Sequence, residues 1–165
     1  MRFIHVADVH WGMVPDADQP WGKDRANDIK STFRAIIEKC RELNVDCLFI
    51  AGDLFHRQPM NRDLQELNYL FGTIPSTHVV IISGEHDRIE PNAAILSFNW
   101  SPNVSWFLQD TPETVYFDDI NTEVYGFSYH TRELRESVLD AIHPEADGHI
   151  HILLAHGGDA EHLPI

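Results

Sequence analysis

The chain has 165 residues, of which 43% are hydrophobic, and this is enough for one domain with a buried core. The formal net charge of −14 argues against a simple nucleic-acid-binding module, which would be basic, but it leaves a metal-dependent nuclease open. No apolar run approaches the ~20 residues that a membrane-spanning helix needs. Cys40 and Cys47 form no CxxC pair, so we expect two buried thiols in a reducing, cytoplasmic compartment rather than a zinc site.

The hydrophobic pattern predicts strands and helices that alternate along the chain. The predicted elements of the first half are a buried strand over Arg2 to Ala7, an amphipathic helix over Asp24 to Leu43, an apolar strand over Cys47 to Ala51 and a helix capped by Asn61 that runs to Phe71. Those of the second half are a strand over Val79 to Ile82, a short helix within residues 93 to 100, two or three strands within 104 to 128, a helix from Thr131 to Ile142 and a strand over Ile150 to Ala155. This alternation, with uniformly apolar strands, predicts an α/β fold whose sheet is covered on both faces.

Four clusters of acidic residues and histidines share one position, just past the carboxyl end of an apolar strand. They are Asp8-Val9-His10, Gly52-Asp53-Leu54-Phe55-His56, Gly84-Glu85-His86-Asp87 and His156-Gly157-Gly158. Ligands of open α/β sheets bind outside the carboxyl ends of the strands, so we expect these side chains to share one rim. Any one cluster alone also occurs as a simple turn or as a hydrogen-bonded histidine at a strand end. The four together predict a site for a pair of divalent metal ions.

The residue types and their spacing indicate which metal ions would bind and which residues would share an ion. Aspartate together with histidine suits manganese, iron or zinc, whereas calcium and magnesium prefer oxygen ligands alone. In an extended segment Asp8 and His10 point the same way, which would let both bind one ion. Asp53, in the middle of the rim, is the natural carboxylate to bridge two ions.

The order of the clusters is similar to that of the calcineurin-like metallophosphoesterase superfamily, whose motifs are DxH, GDxxH, GNHD and a histidine after an apolar strand. Residues 3 to 12, FIHVADVHWG, and residues 51 to 56, AGDLFH, resemble the SbcD-type branch of that superfamily, the Mre-eleven nucleases. Arg25 and Phe33 in the intervening helix match the same branch. The resemblance covers nearly the whole chain and implies a sandwich of mixed β-sheets flanked by helices.

The resemblance also implies a metal-ligand set. Asp8 and His10 would bind the first ion, Asp53 would bridge both ions, and Glu85 and His156 would bind the second. The ions implied are two divalent cations, with manganese favoured over iron and zinc.

Three further residues receive catalytic or substrate-binding roles from the resemblance. His86 would be the catalytic histidine that protonates the leaving oxygen, and Asp87 would support it through a hydrogen bond. His56 sits where the branch places a second histidine that contacts the phosphate or nucleotide. His56 and its neighbour Arg57 are therefore the predicted substrate-binding residues.

Two departures from the family pattern bear on activity. Glu85 stands where GNHD has asparagine, and its extra charge could strengthen metal binding or mark a weakened site. The family's closing GHxH motif should follow His156 by a few dozen residues, so we expect residues 1–165 to be the N-terminal portion of the domain, incomplete at its C-terminus. We therefore expect this chain alone to bind metal weakly. Residues 148 to 151 spell GHIH, but they precede the last strand, so we interpret His149 and His151 as structural, with a local metal site as the less favoured alternative.

The function implied is two-metal hydrolysis of phosphodiesters, as the exonuclease or endonuclease subunit of a double-strand-break repair complex. The partners implied are DNA, an SbcC-type ABC ATPase and a second copy of the chain, with no membrane. The first alternative is a metallophosphoesterase acting on a nucleotide, a cyclic nucleotide or a phosphoprotein, since the motifs do not define the substrate. The second is a catalytically weakened scaffold or binding module, which Glu85 and the acidic composition favour.

Overall fold

The computed structural model describes residues 1–133, 138–144 and 146–157. Its main elements are β1 (Phe3–Val6), α1 (Gly22–Leu43), β2 (Cys47–Ala51), α2 (Asn61–Gly72), β3 (His78–Ile82), β4 (Val104–Trp106), β5 (Glu113–Phe117), β6 (Thr122–Gly126) and β7 (Ile150–Leu154). Short 3-10 turns cover Ala94–Ser97, Asp118–Ile120 and Leu139–Ala141.

The strands form two sheets. The first sheet has four parallel strands in the order β1-β2-β3-β4, with Phe3 opposite Cys47 and Cys47 opposite His78. The second has the order β5-β6-β7, in which β5 and β6 are antiparallel and β6 and β7 are parallel. Since the first sheet is parallel, the carboxyl ends of β1, β2 and β3 meet at one edge, and this edge carries three of the four polar clusters.

The first sheet is packed on both faces because β2 is apolar at every position and β3 at every position after His78. From β2, Leu48 and Ile50 lie in one core with residues of α1 and α2, such as Phe33 and Leu67. The alternate residues of β2 lie in a second core with the inner face of the second sheet; this core contains Cys47, Phe49, Ala51, Val80, Ile82, Phe117, Val124 and Leu154. The observed fold is therefore a two-sheet sandwich with helices on the outer face of the parallel sheet, as predicted.

Most predicted elements are confirmed within one or two residues, but several details are wrong. The strand β1 is not buried: Phe3 is 53% exposed, because β1 is an edge strand that pairs with β2 alone among the described strands. The cap of α2 is Met60 rather than Asn61, and its N–H donates to the carboxylate of Asp63 at 3.1 Å.

The remaining predicted helices are shorter than expected where they are described. The one within residues 93 to 100 is a 3-10 turn at Ala94–Ser97. The one from Thr131 to Ile142 lies partly outside the described residues, whose only helical part there is Leu139–Ala141. Cys40 and Cys47 are both buried and free, as predicted. Among the described helices, none combines the length and hydrophobicity that a bilayer crossing requires.

Candidate metal centre

The loops after β1 and β2 run side by side and hold each other through backbone hydrogen bonds. The N–H of Asp8 donates to Gly52 at 3.2 Å, and the N–H of His10 donates to Asp53 at 2.9 Å. Asp8, His10 and Asp53 have φ values of +53°, +51° and +50°, which L-residues other than asparagine and aspartate seldom adopt. The expected extended geometry of Asp8-x-His10 is therefore wrong. The left-handed turns, not strand alternation, bring both side chains to the rim.

Asp53 lies at the centre of the cluster. It is 1% exposed, and its Oδ1 accepts a hydrogen bond from the N–H of His86 at 3.0 Å. Imidazole nitrogens of three histidines surround the carboxylate at nearly equal distances. His10 Nε2 lies at 3.9 Å, and the Nε2 atoms of His86 and His156 lie at 4.0 Å. Side chains from β1, β2, β3 and β7 therefore converge on one buried carboxylate.

The spacing of these donors fits divalent cations. Three triads at the rim have ligand atoms within 4.8 Å of one another, namely Asp8, His10 and Asp53; Asp53, Glu85 and His86; and His10, His56 and His86. Donors about 4 Å apart are too distant to hydrogen-bond, and a small inward movement would bring them to the roughly 2.0–2.2 Å that each ligand keeps from a shared ion. His10 Nδ1 is also buried without a hydrogen-bond partner among the described residues. The residues present therefore fit the metal pair that the family pattern implies.

The neighbours of His156 determine which of its two ring nitrogens is free to bind a metal ion. Its Nδ1 lies 2.8 Å from the carbonyl of Ala51, so Nδ1 carries the proton and Nε2 points to the rim, where it lies 2.9 Å from Glu85 Oε2. Burial lowers the pKa of His156, but the hydrogen bond to Ala51 and the charges of Glu85 and Asp53 outweigh burial and raise it. Burial raises the pKa of Glu85, and its own backbone N–H and His156 reverse that effect and lower it. Without metal, the two residues form an ion pair.

Two glycines allow this close approach. A Cβ at Gly84 would lie 2.8 Å from Nε2 of His156 and closer still to Oδ1 of Asp53. A Cβ at Gly52, where φ is +84°, would overlap the same imidazole ring. Any side chain at either position would therefore push His156 away from Asp53.

Asp87 has a different partner from the one predicted. Its carboxylate is fully buried and accepts hydrogen bonds from the N–H of Phe55 at 3.0 Å and that of Gly84 at 2.8 Å. The expected hydrogen bond to His86 is wrong, since His86 Nδ1 faces the carbonyl of His56 at 3.0 Å instead. Burial raises the pKa of Asp87 to about 6 against the lowering effect of the two donors. Asp87 thus joins the loops after β2 and β3 and positions the site without touching His86's ring nitrogens.

His56 lies beside the predicted catalytic histidine. The rings of His56 and His86 stack at 5.1 Å between centroids, and His10 meets His86 edge-on at 4.8 Å. Burial lowers the pKa of His56, and the neighbouring charges of His86 and His10 add to that effect. The three imidazoles form a continuous wall on one side of Asp53.

A cleft of about 460 Å³ opens next to this wall and contains three arginines. Arg57 lines it, as do Arg88 and Arg132, which the sequence analysis did not identify. Arg88 is paired with Glu90, while Arg57 and Arg132 are exposed. The position of Arg88 directly after Gly-Glu-His-Asp was a usable signal, whereas Arg132 follows β6 with no motif around it. Tyr129 was also missed; its hydroxyl donates to the carbonyl of His156 at 3.1 Å.

Comparisons of the sequence with known proteins point to phosphoesterases. The sequence profile of the calcineurin-like phosphoesterase family matches residues 1–163. The chain is 38% identical over 91 residues to the DNA double-strand break repair protein Mre11 of Archaeoglobus fulgidus, covering 53% of this chain and 20% of that protein. It is 28% identical over 170 residues to the uncharacterized metallophosphoesterase YhaO of Bacillus subtilis, covering 95% of this chain and 40% of that protein.

A third relative is aligned over the full chain. Mre11 of Methanocaldococcus jannaschii is 25% identical over 175 aligned positions, which cover 100% of this chain and 46% of that protein. The chain therefore spans less than half the length of these relatives. The predicted resemblance to the SbcD and Mre11 branch is confirmed, and with the profile matching almost every residue, this chain belongs to the calcineurin-like phosphoesterase family.

Proposed function

We propose that this chain carries the metal centre of an Mre11-type nuclease that hydrolyses phosphodiester bonds at DNA ends. The observation that carries the proposal is the buried carboxylate of Asp53 with His10, His86 and His156 at 3.9–4.0 Å around it. Donors held just out of hydrogen-bonding reach are typical of a site that closes around a cation.

Manganese is the ion that we propose for both positions. Asp8, His10 and Asp53 would hold one ion, and Asp53, Glu85 and His156 the other. Ions bound there would supply Lewis-acid polarisation of the phosphoryl oxygens and activation of the attacking water. Because the donors include imidazole as well as carboxylate, manganese, iron and zinc suit the set better than calcium or magnesium.

The protein's own residues would orient the substrate and handle the proton. Nδ1 of His86 donates its hydrogen to the carbonyl of His56, so Nε2 faces the site. When Nε2 also carries a proton, the ring is an imidazolium and can pass that proton to the leaving oxygen, which leaves a neutral imidazole. The side chain of His86 is 40% exposed, so a substrate can reach it. Arg57 and Arg132, in the cleft beside His86, would bind phosphates on the adjacent nucleotides. They concentrate positive charge where a chain of net charge −14 would otherwise repel DNA.

DNA is the proposed substrate because several relatives carry the name DNA double-strand break repair protein. An SbcC-type ABC ATPase partner, a homodimer and a cytoplasmic location are proposed on the same resemblance. The relatives are longer than this chain, so these properties concern the whole protein and extend beyond the chain's own geometry.

One observation favours the alternative of a catalytically weakened scaffold or binding module. Glu85, in the place of the family's asparagine, is 2.9 Å from the ligand nitrogen of His156. This ion pair must break before His156 binds a metal ion, which would reduce metal affinity at the second position. A metallophosphoesterase acting on nucleotides or phosphoproteins is the other alternative.

Cleavage assays with manganese would separate these functions. We expect the chain to cleave linear duplex DNA and bis(p-nitrophenyl) phosphate slowly, and Asp53→Asn to abolish both reactions. Arg57→Ala should slow DNA cleavage more than cleavage of the small ester, which is too short to reach the arginines. The matched control is Arg62→Ala, on the exposed face of α2 with 74% of its side chain accessible.

Each alternative has its own outcome. Cleavage of the small ester without cleavage of DNA would support a different substrate and contradict the nuclease proposal. No cleavage of either substrate, although Mn²⁺ binds and Asp53→Asn abolishes that binding, would support the scaffold.

A further inference from the structure

A second group of potential metal ligands lies on the outer face of the second sheet. The register of β6 and β7 sets Glu123 directly opposite His151, and the loop before β7 brings Asp147 beside them. One ligand atom from each of the three residues lies within 4.8 Å of the others. This group belongs to the amino end of β7, whereas His156 of the metal centre follows the carboxyl end of the same strand.

His151 lies between the two carboxylates. Its Nε2 lies 2.9 Å from Asp147 Oδ1, and its Nδ1 lies 3.3 Å from Glu123 Oε2 and 3.1 Å from the Tyr125 hydroxyl. A neutral ring can hydrogen-bond Asp147 through one nitrogen and Tyr125 through the other. Two carboxylates and one imidazole therefore meet at a point where a bound cation would offset both acidic charges.

Each carboxylate is also held by a second group. Tyr125 donates its hydroxyl hydrogen to Glu123 Oε2 at 2.5 Å. His149 Nδ1 lies 3.0 Å from Asp147 Oδ2, and the backbone N–H of His149 donates to Asp147 Oδ1 at 2.9 Å. Metal-binding carboxylates are commonly oriented by hydrogen bonds of this kind. Together they position both acids before any ion binds.

We propose that Glu123, Asp147 and His151 form a binding site for one divalent transition-metal ion of the zinc class. One imidazole nitrogen with two carboxylate oxygens is a donor set that suits Zn²⁺, and the imidazole disfavours Ca²⁺ and Mg²⁺. Water would complete the coordination, because Asp147 is exposed and Glu123 and His151 are half-buried. The ion would offset the two negative charges of Glu123 and Asp147.

The ion would act as a structural clamp. It would join the loop before β7 to β6 and so hold the amino end of an edge strand. That strand has little other support on this side, since Ile150 and Leu153 are 43% and 44% exposed. The carboxyl end of β7 leads to His156, so the clamp would also steady the strand that presents one ligand of the proposed catalytic centre.

The test is a Zn²⁺ titration of the chain near neutral pH, followed by NMR of the histidine side-chain nitrogens. Long-range ¹H–¹⁵N spectra report each imidazole separately, so binding at His151 is distinguished from binding at the rim. We expect the His151 nitrogen signals to shift on addition of one equivalent of Zn²⁺. They should also do so in Asp8→Asn, which alters only the rim.

Three variants complete the experiment. His151→Gln should remove one bound zinc ion per chain. Tyr125→Phe should lower the affinity for that zinc ion by about 10–100-fold, because Glu123 loses the hydrogen-bond donor that orients it. The matched control His143→Gln removes another exposed histidine of the same region and should leave zinc binding unchanged. Backbone NMR spectra of the zinc-free variants show whether each is folded.

Two outcomes would overturn the proposal. In the first, the His151 nitrogen signals do not respond to Zn²⁺ although the chain is folded. In the second, His151→Gln folds normally and still binds the same number of zinc ions as the unsubstituted chain.

Discussion

Replacing Gly84 with alanine tests the close packing of the metal centre. The new Cβ would lie 2.8 Å from Nε2 of His156, against 3.4 Å for an ordinary contact, so the ring must move by about 0.6 Å. Asp53, which would lie closer still, must move further. Neither side chain is free to do so, because the carbonyl of Ala51 holds His156 at 2.8 Å and the N–H of His86 holds Asp53 at 3.0 Å.

The expected loss of stability follows from two effects. Overpacking a well-filled interior costs about 1–3 kcal/mol, and breaking one of the two hydrogen bonds adds about 0.5–1.5 kcal/mol. A total of about 1.5–4.5 kcal/mol should lower the urea midpoint by roughly 1–2 M, with a slope of about 2 kcal/mol/M. Displaced ligands should also reduce Mn²⁺ affinity by about 10-fold or more, measured by calorimetry.

Gly72→Ala is the matched control for this substitution. Gly72 ends α2 with no positive φ, and a Cβ there would meet only the hydroxyl of Ser101 at 3.4 Å. We expect this variant to stay within about 0.5 kcal/mol of the unsubstituted chain and to bind Mn²⁺ equally well. If Gly84→Ala behaved like Gly72→Ala in both measurements, the close contact of Gly84 with Asp53 and His156 would be refuted.

Three further predictions concern charge and metal. The pKa of Asp87 in the folded chain, about 6, is above its ordinary value of 3.8. The folded state therefore holds the Asp87 proton more tightly than the unfolded state. The stability that this gives is fully present below pH 3.8 and is lost as pH rises through 6. In the metal-free chain, Asp87→Asn should therefore gain about 2 kcal/mol of stability relative to the unsubstituted chain between pH 4 and pH 7 in urea titrations, and an equal difference at both pH values would contradict this. The pair of Glu85 and His156 should stabilise the metal-free chain most between pH 4.5 and 6.5, with a loss as pH falls through the lowered pKa of Glu85 or rises through the raised pKa of His156. Glu85→Asn should reduce both pH dependences of stability, measured as the midpoint of thermal unfolding. If both dependences remained in this variant, the ion pair would not be their source. Finally, calorimetry should show weak Mn²⁺ binding by this chain, since each ion has at most three of the predicted ligands, and tight binding of two ions would disprove that ligand count.

Local patterns were sufficient to predict most elements and the order of the polar clusters. The apolar runs of β2 and β3 predicted strands within one residue of those observed, because both strands are buried on both faces and every side chain reports that burial. The same reasoning misjudged β1, whose residues other than His5 are also apolar but lie at a sheet edge. Hydrophobicity predicts a strand, but the neighbours that cover it depend on the topology.

The metal centre, too, was only partly predictable from the sequence. Sequence order predicted that Asp8, His10, Asp53 and His156 share one rim, because parallel strands end at a common edge. It did not reveal the left-handed backbone at Asp8 and His10, which depends on hydrogen bonds to the loop after β2.

By itself the sequence determined the element types, the family resemblance and the set of acids and histidines that could bind metal, because these depend on residue identity and spacing along the chain. The tertiary structure decided which of them meet. It joined Asp87 to the backbone of Phe55 and Gly84, placed Arg132 in the cleft, and set Glu123 opposite His151 through strand register. Most of these contacts join residues far apart in the chain, and strand pairing and the packing of neighbouring loops bring them within ångströms of each other.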